Sequence, residues 1–230
     1  MSMWTNPSTF GFDNRNGMAE YLRRQIGNHS LLALWLITES TEELEAAISL
    51  RAEEKKLYES FVAESRRKQW LAYRLLIRDL LRPDDFPVEY DETNKPYLAG
   101  SNYHISVSHS GDMAAVIISR KSRVGIDIEK IRPRVGKVKE RFLSLPELDR
   151  IGNDSGFSRL TLAWSAKEAI YKLFGQRDLD FRENICLHLP DQPGEPFDGD
   201  IILDSGITRF RIENELIGDY ILVYVEEPAP

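Results

Sequence analysis

The sequence contains a single cysteine, Cys186, and only four histidines. One cysteine cannot form an internal disulfide, and no pair of Cys or His residues has the spacing of a zinc site. We therefore expect neither a redox centre nor structural zinc.

Long apolar runs are also lacking, because none approaches the roughly 18 residues that a membrane span requires. Residues 1–10 have neither the basic nor the apolar region of a signal peptide. We therefore expect a cytoplasmic protein that does not enter a membrane. The net charge of -7 argues against nucleic acid as a partner, since phosphate binding needs a broad basic surface.

The chain has 230 residues, 42% of them hydrophobic and 29% charged, as in ordinary globular domains. In the first half the patterns predict a strand at 31–37, a helix with Thr41 as its N-cap, helices at 51–62 and 65–81, and strands at 88–90, 105–107 and 113–119. In the second half they predict a strand at 124–129, helices at 137–143 and 158–174, and strands near 186–189, 200–203, 208–213 and 220–225. The order of elements repeats, so we predict an α+β fold of two similar subdomains, 1–121 and 122–230, with the ligand cleft between them.

Apolar and acidic residues alternate along residues 124–129, so a strand there would place Asp127 and Glu129 side by side on one face. Their Cα atoms would be about 7 Å apart, which lets both carboxylates reach one cation. The alternative is a half-exposed strand carrying two solvated acids.

The helix at 158–174 separates its residues into two faces. Trp164, Glu168 and Lys172 fall on the arc opposite the apolar residues. This arc is either a functional face or a surface with one stabilising Glu–Lys pair.

Residues 106–111 read Ser-Val-Ser-His-Ser-Gly, which predicts a turn whose hydroxyls and NH groups surround an anion, with His109 adding a donor or a charge. A hydrolase triad is disfavoured, because the Gly-x-Ser-x-Gly elbow is missing and neighbouring strand residues point to opposite faces. Residues 130–141 carry six basic side chains and one acid, Glu140. This segment is either a docking site for an acidic partner or a solvated loop.

Five motifs occur together in a fixed order. They are Asn94-Lys95-Pro96, Ser106 to Gly111, Val124 to Glu129, Arg141-Phe142-Leu143-Ser144 with Glu147, and Trp164 to Ala169 with Lys172. In order and spacing this set resembles the surfactin-type 4'-phosphopantetheinyl transferases. One departure is Asn94, where that family commonly has glycine; asparagine tolerates the positive φ that such a turn needs.

The resemblance implies a pseudo-dimer of two α+β halves with coenzyme A in the cleft. Such enzymes transfer the 4'-phosphopantetheine group of coenzyme A to a serine of an acyl or peptidyl carrier protein and release 3',5'-ADP. Carried over by motif, Asp127, Glu129 and Glu168 would bind Mg²⁺. Lys172 would contact the phosphates, and Lys95, Ser108 and His109 would hold the coenzyme.

Some roles stay open within this resemblance. The general base is either Glu168 or a metal-bound water. The 3'-phosphate has four candidate partners, Arg66, Arg67, Lys68 and Arg74; Arg74 is preferred because its helix matches the 158–174 helix. The basic segment 130–141 is expected to dock the carrier protein.

The sequence does not say which carrier protein or which acyl form of coenzyme A is used. A monomer is expected, because one chain contains both halves of the cleft. The alternatives are a module that binds coenzyme A or a carrier protein without catalysis, and an unrelated magnesium phosphohydrolase.

Overall fold

The computed structural model describes residues 20–175 and 179–228. Residues 1–19, which include the segment 1–10 and the start of the predicted first subdomain, lie outside this part, as do 176–178 and 229–230. The strands are β1 Glu20–Ile26, β2 Ser30–Leu36, β3 Val88–Tyr90, β4 Pro96–Leu98, β5 His104–Ser110, β6 Met113–Ser119, β7 Val124–Lys130, β8 Ile185–Leu187, β9 Phe197–Leu203, β10 Gly206–Ile217 and β11 Tyr220–Glu226. The helices are α1 Thr41–Ala46, α2 Ala52–Glu59, α3 Glu64–Leu81, α4 Leu145–Ile151 and α5 Ser158–Phe174.

Two antiparallel sheets form the centre of the molecule, which confirms an α+β fold. The first has the strand order β1-β2-β6-β5, and the second has the order β7-β11-β10-β9-β8. A small hairpin pairs β3 with β4. The proposed subdomain boundary after residue 121 lies in the turn between β6 and β7, where the chain passes from one sheet to the other.

Alternation along the strands gives each sheet two apolar faces. On β2, Leu31 and Ala33 join the core beneath α3, whereas Leu32 and Leu34 face the other way. That second face packs against apolar residues of β7 and β11, among them Ile126. The sheets therefore lie against each other, with α3 on one outer face and α5 on the opposite one.

Three serines of β5 join the edge of the first sheet to the edge of the second. The backbone NH groups of Ile126 and Lys130, on the edge strand β7, donate to the hydroxyls of Ser106 and Ser110 at 3.1 and 3.2 Å. Ser108 lies between these serines and donates to Asp127 at 2.8 Å. Residues 106–110 are thus strand rather than the predicted turn, and their period of two directs the hydroxyls at β7.

The helix α5 packs unusually close to β7, because position 125 has no side chain. A Cβ on Gly125 would overlap the carbonyl oxygen of Ala169 and lie 2.9 Å from its carbonyl carbon. A backbone group cannot swing aside as a flexible side chain can. Glycine at this position therefore sets the distance between the helix and the strand.

A buried ion pair connects α4, α5 and β8. The Lys167 ammonium, which is completely buried, donates to Glu147 at 2.8 Å and to the carbonyls of Phe181 and Ile185 at 2.7 and 2.8 Å. Glu147 also accepts from the Ser144 backbone at 2.8 Å, as part of the capping box that starts α4. Every donor of the ammonium is satisfied, which is the condition for burying such a charge.

Several predicted elements differ from the observed ones. The predicted helix at 137–143 is instead two short 3-10 turns, Pro133–Lys137 and Lys139–Arg141, which are separated at Val138, where φ is -120°. The N-cap of α1 is Ser40, not Thr41, and its hydroxyl accepts from Glu43. The strands β1 and β4 and the helix α4 were not predicted. No helix in residues 20–175 and 179–228 combines the length and the apolar character of a membrane span.

We predict that Gly125→Ala destabilises the protein by about 1–3 kcal/mol, the usual cost of overpacking. The control is Gly156→Ala, since no atom lies within 4 Å of a Cβ at that position and its φ is outside the left-handed region. Urea unfolding of both variants measures the difference. Equal stability of the two variants would show that α5 is free to move away from β7.

Candidate active site

A cleft of about 450 Å³ lies between the two halves of the chain. Its walls come from the start of α3, the turn before β4, the strands β5 and β7, and α5. Seven of the eight residues predicted for the site line it, namely Lys95, Ser108, His109, Asp127, Glu129, Glu168 and Lys172. Arg74 is the exception.

Asp127 and Glu129 lie on the face of β7 that α5 covers, and Ile126 and Ile128 lie on the other, as the alternation predicts. Asp127 is buried, and its Oδ1 accepts from Ser108 at 2.8 Å and from Lys172 at 2.7 Å. Glu129 accepts from Ser110 at 2.7 Å. The pKa of Glu129 is raised, first by burial and then by the neighbouring Asp127 charge, against the lowering effect of Ser110.

Glu168 and Lys172 project from successive turns of α5 towards these acids. Burial raises the pKa of Glu168 to about 7; the Asp127 and Glu129 charges act in the same direction, and Lys172 opposes them. Three carboxylates therefore share one neighbourhood with a single close lysine, and their negative charge is only partly compensated.

These three carboxylates fit a metal ion in chemistry but not in position. Asp127 Oδ2 is buried without a hydrogen-bond partner among the described residues. Carboxylate oxygens are the ligands that Mg²⁺ prefers, so the donor chemistry fits. However, within the same residues no three Asp, Glu, His or Cys side chains stand close enough to hold a metal ion. The ligands are present, but their side chains are not gathered around one point.

His109 points to the opposite side of β5 from Ser108. Its Nε2 accepts a hydrogen bond from the Arg66 guanidinium, and its ring lies nearly parallel to that of Tyr73. Burial lowers the pKa of His109 to about 4, and the Arg66 and Lys172 charges add to this effect. At neutral pH the ring is therefore uncharged, and the positive charge at this end of the cleft belongs to Arg66.

Lys95 crosses from the first half of the chain to the second. Its ammonium donates to the Leu173 carbonyl in the last turn of α5 at 3.1 Å. Burial is the main reason that its pKa is lowered. The preceding Asn94 has a φ of 62°, so asparagine does adopt the left-handed conformation in this turn.

The structure corrects the choice of Arg74, which does not reach the cleft. Arg74 is 2% exposed and lies in the core of the first half, where it pairs with Glu54 at 2.9 Å and contacts the faces of Trp70 and Tyr90. Its charge is already neutralised and sealed from solvent. Of the four basic candidates, only Arg66 lines the cleft. It lies two turns of α3 before Arg74, and no pattern in the sequence separates the two.

A second and larger cleft, of about 790 Å³, adjoins the first. The two share Glu129 and Trp164. The floor of the second cleft is aromatic, since Trp164 packs against Phe142 and Phe181 with ring centroids 5.0 and 5.8 Å away. Its rim is basic and consists of Lys130, Arg132, Arg134 and Arg141. The cleft lined by the segment 130–141 therefore lies directly beside the carboxylates.

Sequence reasoning missed the roles of Ser110 and Lys167, and it named Arg66 only as an alternative to Arg74. The alternating serines 106, 108 and 110 were a usable signal for a strand that faces polar groups. For Lys167 there was none, because a lysine between Ala166 and Glu168 carries no sign that three acceptors surround it.

Part of the chain is similar to a known protein family. Residues 123–225 match the family model described as the 4'-phosphopantetheinyl transferase superfamily. This range includes Asp127, Glu129, Glu168 and Lys172.

Similar proteins carry the same name. The 4'-phosphopantetheinyl transferase AcpT of Escherichia coli K12 is 37% identical over 117 residues, which cover 48% of this chain and 59% of that protein. The AcpT of Salmonella typhimurium is 36% identical over 116 residues, covering 48% and 60%. A putative 4'-phosphopantetheinyl transferase of Synechocystis is 26% identical over 141 residues, covering 55% and 57%. The chain thus spans a little over half the length of these relatives. Residues 123–225 of this chain, which carry four of the predicted site residues, are thus similar to the 4'-phosphopantetheinyl transferase superfamily.

Proposed function

We propose that this protein transfers the 4'-phosphopantetheine group of coenzyme A to a serine of an acyl or peptidyl carrier protein, giving holo-carrier protein and 3',5'-ADP. The observation that carries the proposal is the meeting of two clefts at Glu129 and Trp164, beside Asp127, Glu168 and Lys172. One cleft offers positive charge and aromatic rings to a nucleotide. The other offers a basic rim to an acidic protein.

Asp127, Glu129 and Glu168 would hold Mg²⁺, which would neutralise the charge that develops on the pyrophosphate oxygens. The unpartnered Asp127 Oδ2 and the oxygen-only donor set support this assignment.

The protein's own groups serve the transfer of the phosphoryl group. Lys172 lines the nucleotide cleft and would contact the phosphates and stabilise the leaving 3',5'-ADP. The attacking serine must lose its proton, and Glu168 is our choice for the base that takes it. Its half-buried position in the nucleotide cleft, next to Asp127 and Glu129, supports this choice.

We place the nucleotide end of coenzyme A against Arg66 and His109, with Lys95 and Ser108 at the other walls of the same cleft. Arg66 takes the role that the sequence had given to Arg74. It donates to a neutral His109, so the ring holds in place a guanidinium whose other N–H groups would meet a phosphate. Because a single chain supplies both walls, we propose that the protein acts as a monomer.

We place the carrier protein on the basic segment 130–141. Arg132 and Arg134 are exposed and line the second cleft next to Glu129. An acidic carrier would meet them despite the negative charge of the whole chain, since local charge guides docking.

The first prediction tests the function itself. Incubated with coenzyme A, Mg²⁺ and a panel of purified apo carrier proteins, the protein should convert at least one carrier to its holo form, as measured by mass spectrometry. Asp127→Asn and Glu168→Gln should each slow conversion at least about 100-fold, the scale of losing one transition-state contact. Glu53→Gln, at an exposed site on α2, is the matched control. Near-normal rates in both site variants would refute the carboxylate site, and no conversion of any carrier would favour a non-catalytic binding protein.

The second prediction concerns coenzyme A. Arg66→Ala should weaken its binding by about tenfold to 100-fold, because a charge-assisted contact to phosphate is worth about 1.5–3 kcal/mol. Arg67→Ala should change little, since Arg67 turns away to the Phe61 carbonyl. Calorimetric titration of both variants with coenzyme A measures this. Equal affinities would move the nucleotide away from the Arg66 end of the cleft.

The third prediction concerns carrier docking. Arg132→Glu with Arg134→Glu should raise the KM for the carrier protein a few-fold to about tenfold, because exposed charge contacts contribute only about 0.2–1 kcal/mol each. The affinity for coenzyme A should stay nearly unchanged. Lys55→Glu with Lys56→Glu makes the same change of charge on α2 and serves as the control. A carrier KM that is unchanged at low salt, where charge effects are largest, would place docking elsewhere.

A further inference from the structure

The buried carboxylate of Asp127 already has a cation beside it. The Lys172 ammonium donates to Asp127 Oδ1 at 2.7 Å, to the Ser108 hydroxyl at 3.0 Å and to the Ile126 carbonyl at 3.1 Å. These three acceptors use all three donors of an ammonium group. Lys172 therefore has a complete set of partners within the protein.

This arrangement conflicts with both roles proposed for the site. While Lys172 holds Asp127, its charge repels a divalent cation that approaches the same carboxylate. The lysine is also turned away from any phosphate, since its donors point at protein oxygens. Among the described residues, no three carboxylates are close enough together to hold a metal ion. This separation agrees with a site in which Asp127 binds lysine instead.

The Lys172 side chain is able to move away from Asp127. Its side chain is 27% exposed, and it lines the cleft in which a pyrophosphate would lie. A lysine is a compact charge on a flexible stem, and α5 holds only its backbone in place. A pyrophosphate would present several anionic oxygens to it in exchange for one buried carboxylate oxygen.

We propose that the Lys172 ammonium takes the place of the metal ion beside Asp127 in the free protein. When coenzyme A binds, its pyrophosphate displaces Lys172 from Asp127. The carboxylates are then available to bind the metal. The inference rests on the function proposed above. It makes the binding of metal and of coenzyme A cooperative, and by linkage each strengthens the other equally.

Calorimetric titration with Mn²⁺, in place of Mg²⁺, tests this without any measurement of activity. In the absence of coenzyme A, Lys172→Met should bind Mn²⁺ at least about tenfold more tightly than the wild type, because the competing charge is gone while the apolar stem remains. Lys172→Arg keeps the charge and should bind Mn²⁺ as weakly as the wild type. Lys55→Met, which removes an exposed lysine from α2, controls for net charge and should also leave the affinity unchanged.

A second titration at saturating coenzyme A measures the coupling. Coenzyme A should strengthen Mn²⁺ binding by a larger factor in the wild type than in Lys172→Met, where there is no lysine to displace. Equal or weaker Mn²⁺ binding by Lys172→Met in the free protein would overturn the inference while leaving the transferase proposal intact. Failure of every variant to bind Mn²⁺, with or without coenzyme A, would overturn the metal site and the inference together.

Discussion

The close contact between α5 and β7 is the constraint on which the site depends. Gly125 leaves the backbone of Ala169 directly against the strand, where any side chain would collide with it. Only at this distance do Glu168 and Lys172, from two successive turns of the helix, meet Asp127 and Glu129 from the strand. A helix seated further out would separate the acids from their lysine.

Side chains rather than a backbone ladder join the two halves of the cleft. Ser106 and Ser110 satisfy NH groups on the free edge of β7, so this edge is closed without a further strand. The same row of hydroxyls holds Asp127 and Glu129 in place. Thus the contact that assembles the halves also orients the acids, and the position of the acids depends on how the halves pack.

The ion pair of Lys167 and Glu147 has a comparable role behind the site. It fixes α5 to the start of α4 and to the segment that carries Phe181. Phe181 in turn packs against Trp164, which both clefts share. The aromatic floor of the larger cleft is therefore anchored by a charge pair in the core.

The sequence was most informative where a regular period coincided with an apolar face. The bounds of α5 agree with the prediction, and the alternation on β7 places Asp127 and Glu129 as expected, because in both cases one face is buried. The sequence did not predict β1, because the burial of this strand depends on its pairing with β2. It also predicted a helix at 137–143, where residues that favour a helix did not prevent a break at Val138. Arg74 shows the same limit: whether an arginine faces a cleft or Glu54 is decided by tertiary packing.

The sharing of Glu129 and Trp164 by two clefts has a consequence for the order of events. Under the proposed function, the nucleotide and the carrier protein would occupy separate clefts beside the carboxylates, so neither would have to leave before the other arrives. Under the proposed function, the group passes directly from donor to acceptor within a ternary complex. No residue of the enzyme then has to carry the group covalently, and the steady-state kinetics are those of a sequential mechanism rather than a ping-pong one.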